Sequence, residues 1–346
     1  MRPATAPSGA TSRTLTFNDP DSYGQTVRST RAEIVVTGRG NFNATLTKID
    51  FQSLWIQRGQ DSLPRIICHK VDPSRSPIYF LSSFNQANTN ESGTELVPGD
   101  IVFLSPEVTH HSHTTGASAW GAMSLTPDDL ASVSCALVGR ELAAPSVTHQ
   151  LHPDSRSMAR LMRLHMEAGQ LAKVAPDILA NPQVARSLEQ KLIHAMVRCL
   201  ASGMPAEASA SHRRHTAILS RLEALLWANS DQPLHLAEIC LAVGASERTL
   251  RLCTQEHLGM GPIQYLWLRR MHLAHRALLR GSPETTSVTE IATGHGFWEL
   301  GRFAVAHRTL FGESPSATLG RPPVDSATRD HRPFALATPQ KRELPK

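Results

Sequence analysis

The stretch SVTEIATGHGFWELGRFAVAHRTLFGESPS, Ser287 to Ser316, decides how the last third of this 346-residue chain folds. Ser287 and Glu290 stand at S-x-x-E spacing, where each side chain can accept the other residue's free backbone N–H, so a short helix starts there. Ile291 and Ala292 supply its buried face. Gly296 provides the backbone freedom that a sharp turn between two helices needs, and Phe297 anchors that turn. From Trp298 to Leu310, Phe303, Ala306 and Leu310 recur at helical spacing and leave Glu299, Gly301, Arg302, Val305 and Arg308 largely on other faces. The pattern is a helix-turn-helix over residues 288–310.

A second copy lies upstream, over residues 236–257. Glu238, Ile239 and Gly244 take the places of Glu290, Ile291 and Gly296, while His235 stands where Ser287 stands and makes a weaker cap. The second helix of this copy starts after Ser246, a good N-cap, and runs through Glu247, Arg248, Thr249, Leu250 and Arg251 to about His257, with Gly259 closing it. Between the copies, Pro262 opens a longer helix whose apolar stripe includes Ile263, Leu266, Ala274 and Leu278 and which ends at Gly281 and Pro283. About eighteen helical residues span roughly 27 Å, close to the roughly 34 Å between successive major grooves. Two such modules on one strut suit one face of B-DNA.

These motifs resemble the AraC/XylS family of bacterial transcription regulators over about Arg213 to Leu319. The resemblance is carried by RMHLAHRALL from Arg270 to Leu279, by VTEIA from Val288, by the pair Gly296-Phe297 and by FGESPS from Phe311 to Ser316. The phrase GFWELGRFA is similar to the branch that includes ethanolamine-operon regulators. The resemblance implies double-stranded DNA at an operator or promoter as partner, RNA polymerase as a second partner, and activation in response to an unknown small-molecule effector. The DNA-binding positions it implies are Ser246, Arg248, Thr249 and Arg251 in the first module and Glu299, Leu300, Gly301, Arg302, Val305 and Arg308 in the second. Arg302 is the leading candidate to read a guanine edge with its bidentate fork, and Arg308 is assigned to phosphate. Thr254 departs from the usual core Phe, Leu252 from a common Arg, Gly261 from a Ser and His307 from an aromatic residue. The second module is therefore expected to discriminate sequence, with the first as an accessory clamp.

The rest of the chain reads as an α+β multidomain protein. Residues 1–30 and 321–346 lack periodic patterning and are expected to be disordered or poorly ordered. Residues 31–150 hold strand-like runs, EIVVT, ATLTKIDF, PRIICHKV, PIYFLSSF, DIVFLS and SAWGAMSL, separated by turns. Pro98-Gly99-Asp100 resembles the turn of cupin-like sensor barrels in AraC-type regulators, which implies a cupin-like β-barrel with an effector at its mouth; physically, it is a tight turn between paired strands. His110, His111 and His113 are read as packed or solvated histidines after a strand, since no second His/Glu cluster accompanies them, so neither a metal site nor a cofactor is expected. Residues 151–203 form a helical hairpin whose second helix starts at Asn181-Pro182. The resemblance implies that it dimerises, with Leu188, Leu192, Ala195 and Met196 as the seam, against the alternative of a hairpin that packs only on the barrel. Residues 204–214 are a linker, and 215–320 are the DNA-binding domain.

Composition narrows the classes further. Five scattered cysteines without a C-x-x-C pair indicate neither a disulfide framework nor a cysteine zinc site, and fit a reducing cytoplasm. No apolar run suits a signal peptide or a membrane span. The net charge of +5 favours anionic partners but is diffuse. No catalytic constellation stands out, and the expectation is a regulator, not an enzyme. Two rivals belong to other classes: a cupin-type metal enzyme that uses the tandem modules for targeting, and an effector-free architectural DNA-binding protein.

Overall fold

Alternation of apolar and polar residues shapes the first half of the chain into strands, and the computed structural model describes residues 9–28, 31–106, 108–205, 209–229 and 234–321. In order come β1 (Thr11–Phe17), α1 (Pro20–Thr26), β2 (Arg31–Val36), β3 (Ala44–Asp50), β4 (Trp55–Asp61), β5 (Arg65–Lys70), β6 (Ser76–Leu81), β7 (Thr89–Glu91), β8 (Thr94–Leu96), β9 (Ile101–Phe103), β10 (Thr109–Thr114) and β11 (Ser118–Leu125). After α2 (Pro127–Val138), β12 (His149–His152) closes the β-rich part. Helices α3 (Ser155–Val174), α4 (Pro176–Ala180) and α5 (Pro182–Ser202) follow, with β13 (Met204–Pro205) pairing back on β12.

The strands form two antiparallel sheets, one of eight strands in the order β1-β3-β4-β11-β6-β9-β12-β13 and one of five in the order β2-β5-β10-β7-β8. This corrects the expected barrel, because no ladder among the described residues joins the two sheets into a closed cylinder. The Pro98-Gly99-Asp100 turn is present, with Gly99 at φ 114, but β8 and β9 on either side of it belong to different sheets. It hands the chain from one layer to the other instead of joining paired strands. Asp100 pins the turn: its carboxylate accepts from the Val97 N–H at 3.3 Å and the Gln150 side chain at 2.8 Å, and meets the His152 ring at 2.7 Å.

The segment expected to be poorly ordered at the N-terminus is structured from Thr11 to Thr26. There β1 pairs along its length with β3, and α1 is capped by Asp19. Residues 1–8 and 322–346 lie outside the described residues. The expected linker at 204–214 is also shorter than its composition suggested, since α6 (Ala210–Ala228) starts within it on the Ser209 cap.

Period-2 alternation assigns the sheet faces. In β6, Ile78 and Phe80 face the helices, while Tyr79 faces the opposite sheet beside Trp120. The helical face is sealed by Leu161 and Leu164 of α3 and by Leu188, Leu192, Ala195 and Met196 of α5. Leu192 and Met196 are wholly buried within the chain. Burial of each such side chain contributes about 1.5–3 kcal/mol, which is why the stripe seeks a covering surface. The surface it finds is its own sheet. The dimerisation seam at Leu188, Leu192, Ala195 and Met196 is therefore corrected: these residues are core, and the exposed face of α5 carries Arg186, Gln190, Lys191 and Arg198. The Asn181 cap is as expected, with its side-chain oxygen accepting from the backbone N–H of Gln183 at 3.0 Å and of Val184 at 3.3 Å.

The histidine segment is strand β10, not a loop. It lies between β5 and β7, with His110 opposite His69 and His111 opposite Cys68. His110 and His111 are both buried and point to opposite faces of the sheet.

Candidate nucleic-acid interface

The C-terminal helical domain follows the two sequence patterns closely. The first module comprises α6, α7 (Leu236–Val243) and α8 (Glu247–Leu258), and the strut is α9 (Pro262–Arg280). The second module comprises α10 (Val288–Gly294), α11 (Leu300–Phe311) and α12 (Pro315–Leu319). In α10 the reciprocal cap forms in full: Ser287 N–H donates to Glu290 at 2.8 Å, and Glu290 N–H donates to the Ser287 hydroxyl at 3.1 Å. At α7 the Glu238 carboxylate accepts the His235 N–H at 2.9 Å, the same reach-back that Glu290 makes in the second module. Gly244 and Gly296 adopt φ 64 and φ 77, the left-handed turns for which a Cβ would be strained.

Each module has its own core. Leu250, Cys253 and Leu258 of α8 pack with Ile218, Leu222, Ile239 and Val243. Phe303 of α11 packs with Ile291, Phe297, Met271 and Leu278. The unusual core residues are accommodated by hydrogen bonds. Thr254 donates its hydroxyl to the Arg251 carbonyl at 3.2 Å, and His307 bridges the His275 ring and the Glu313 carbonyl at 3.0 Å each. Burial in this ring cluster, beside His307, pushes the His275 imidazole down to about 2, so it stays neutral.

With those faces buried, the residues assigned to DNA remain outside. Ser246, Arg248 and Arg251 are exposed on the first half of α8 and its cap, with Thr249 half-buried. Glu299, Leu300, Gly301, Arg302, Val305 and Arg308 are exposed along α11 and its start. Arg302 meets Glu299 at 2.8 Å with its side chain 86% exposed. A pair so open to water contributes at most about 1 kcal/mol and is readily exchanged for another acceptor. The recognition helix starts at Leu300, with Glu299 as the cap residue, slightly later than the apolar spacing suggested. Trp298 escaped the sequence reading: it lies just before that cap, off the core stripe, and is 79% exposed.

The other side of this domain docks on the five-stranded sheet. Val35 of β2 and Ile66 of β5 join the core of the first module. Glu33 of β2 meets Arg269 at 2.9 Å and Arg276 at 3.6 Å and accepts from the Trp227 indole at 3.2 Å. Asn90 on β7 donates to the Glu256 carbonyl at 3.0 Å, so the C-terminal end of α8 abuts the sheet while its N-terminal end stays uncovered.

Residues 239–321 match the family model described as a helix-turn-helix domain. The "Probable thc operon regulatory protein" of Rhodococcus erythropolis is 36% identical over 132 residues, covering 36% of this chain and 40% of that protein. The "XylDLEGF operon transcriptional activator 2" of Pseudomonas putida is 38% identical over 84 residues, covering 24% of this chain and 52% of that protein. The C-terminal domain is thus a helix-turn-helix domain similar to those of bacterial operon regulators. A solved structure described as a probable AraC family transcriptional regulator from Rhodopseudomonas palustris CGA009 is 33% identical, covering 30% of this chain and 98% of that one, with a TM-score of 0.28. The chain spans between two fifths and about half of the two curated relatives' length. No described helix is long and apolar enough to cross a membrane.

Proposed function

We propose that the chain is a ligand-responsive regulator of transcription, an activator acting in the cytoplasm, that binds double-stranded DNA through α8 and α11. The observation that carries this reading is the pair of polar helix faces, Arg248 and Arg251 on one and Arg302 and Arg308 on the other. Both are left uncovered on a strut of 19 residues. At 1.5 Å per residue the strut is about 28 Å long, a length compatible with successive major grooves. The names of the relatives support regulation and activation of an operon; recruitment of RNA polymerase is what the family resemblance implies.

The effector site we assign to the interior between the sheets, in keeping with a cupin-like sensor. Arg65 is fully buried and paired with Asp61 at 2.8 Å, yet its Nε and Nη1 have no partner. Glu91, Tyr79 and Ser112 bring buried side-chain oxygens close to one another in the same interior. Unsatisfied buried polar groups are costly, so a small polar molecule that supplies an acceptor to Arg65 is the fitting ligand class. Burial pushes the Glu91 carboxyl up to about 8, which leaves it a donor as well as an acceptor at neutral pH. An effector that binds one arrangement of the sheets and DNA-binding domain better than another shifts their populations. A homodimer, which the resemblance implies, would pair through a surface other than the buried stripe of α5.

Footprinting and affinity measurement on operator DNA at fixed salt test the reading. Arg302→Ala is expected to cost about 1–3 kcal/mol and to relax base preference at one position of the half-site read by α11. Unchanged affinity together with unchanged preference would remove Arg302 from the interface.

A further inference from the structure

Antiparallel pairing of β5 and β10 sets Cys68 directly opposite His111, on the sheet face that meets α6. From α6 the Glu223 side chain reaches the same point. His111 Nε2 lies 3.7 Å from Cys68 Sγ and 3.6 Å from Glu223 Oε1, and the three donor atoms all fall within 4.8 Å of one another. All three residues are buried. Glu223 Oε1 accepts from the Tyr265 hydroxyl at 2.8 Å, while its Oε2 is buried without a partner.

We propose that Cys68, His111 and Glu223 form a divalent transition-metal site, of zinc class, that staples the five-stranded sheet to the DNA-binding domain. Geometry and charge both favour it. Tetrahedral zinc with ordinary bond lengths places sulfur and nitrogen ligands about 3.5 Å apart and nitrogen and oxygen ligands about 3.4 Å apart, close to the separations observed. A mixed thiolate, imidazole and carboxylate set matches zinc better than magnesium or calcium, which prefer oxygen alone. The ion's two positive charges cancel one thiolate and one carboxylate, so the ion and its three ligands together carry no net charge into the buried interface. Ligation takes the thiolate of Cys68 and the neutral imidazole of His111, so binding displaces the Cys68 thiol proton. Tyr265 orients the carboxylate from behind, as outer hydrogen-bond partners of metal ligands do. The sequence offered no second cluster beside the histidines because the third donor sits on a helix of the other domain.

Two ligands on the sheet and one on α6 make the ion selective for the docked arrangement, which it stabilises by mass action. An effect of the ion on DNA affinity rests on the function proposed above; the existence of the site does not. Full-length protein stripped with chelator and titrated with Co²⁺ tests it. We expect one equivalent to produce a thiolate-to-cobalt charge-transfer band in the near ultraviolet, displaced by Zn²⁺. Cys68→Ser should abolish the charge-transfer band, and Cys68→Ser and Glu223→Gln should each weaken binding by at least about 100-fold. Glu256→Gln, in the neighbouring His212, Glu256 and His257 group, should leave the band unchanged. Absence of the band in the unaltered protein overturns the proposal even if the variants fail to fold. So does binding that Glu256→Gln removes and Cys68→Ser leaves intact.

Discussion

Replacing Glu33 with Gln should loosen the junction between the five-stranded sheet and the DNA-binding domain. The Glu33 carboxylate is 10% exposed and Arg269 5% exposed, at 2.9 Å, with Arg276 and the Trp227 indole on the same carboxylate. Removing one partner of a buried ion pair costs about 3–5 kcal/mol, since the remaining charge stays buried. Two features reduce that figure here. Glu223 also faces Arg269, and the amide oxygen of the new Gln still accepts a hydrogen bond. We therefore expect about 2 kcal/mol, or about a 30-fold change in the docking equilibrium at 1.4 kcal/mol per tenfold. Native-state hydrogen exchange reads this as faster exchange of amides in β2 and α9 with little change in the helices on the eight-stranded sheet. Glu247→Gln, which breaks the exposed pair with Arg251, is the control and should change stability by less than about 1 kcal/mol. A change under about threefold at β2 and α9, equal to the control, would refute the view that Glu33 holds the junction.

Leu192→Ala should destabilise the chain by about 2–5 kcal/mol in urea unfolding, because Leu192 is wholly buried; loss of a dimer with unchanged protomer stability would restore the seam reading. His165 is held neutral, pushed down to about 3 by burial and by Arg58 beside it. The unfolded state binds a proton below about 6.5 that the folded state does not, so the stabilisation is complete above that pH and is lost as pH falls toward about 3. His165→Gln should flatten stability against pH by about 1.4 kcal/mol per unit in that window, and an unchanged slope would show that the ring is already charged. Gly259→Ala adds a Cβ at φ 71 that meets the His113 ring across the junction; a loss of more than about 1 kcal/mol in thermal unfolding is expected, and a neutral result would show that the domains separate there readily.

The C-terminal domain was legible because its signals are local. Caps at Ser246 and Ser287, turns at Gly244 and Gly296 and the stripe through Phe303 each depend on neighbours within a turn or two. The strands beginning at Ala44, Arg65 and Ser118 were legible for the same reason, since alternation is read along one run. Strands β4 and β10 were not: WIQRGQD and THHSHT are rich in polar residues, and each is held as a strand by pairing with a neighbour on both sides. Leu188, Leu192, Ala195 and Met196 show the limit of periodicity, which reports that a face is buried and not what buries it.

By itself the sequence determined the tandem helix-turn-helix, its strut and the residues left facing outward, since hydrogen-bond caps and helical spacing act over a few residues. Only the tertiary structure decided that the stripe of α5 covers a sheet, that the P-G-D turn joins two sheets, and that Cys68, His111 and Glu223 converge. Those outcomes depend on contacts between segments distant along the chain. There the partner is chosen by competition among all apolar and polar surfaces that must leave water at once.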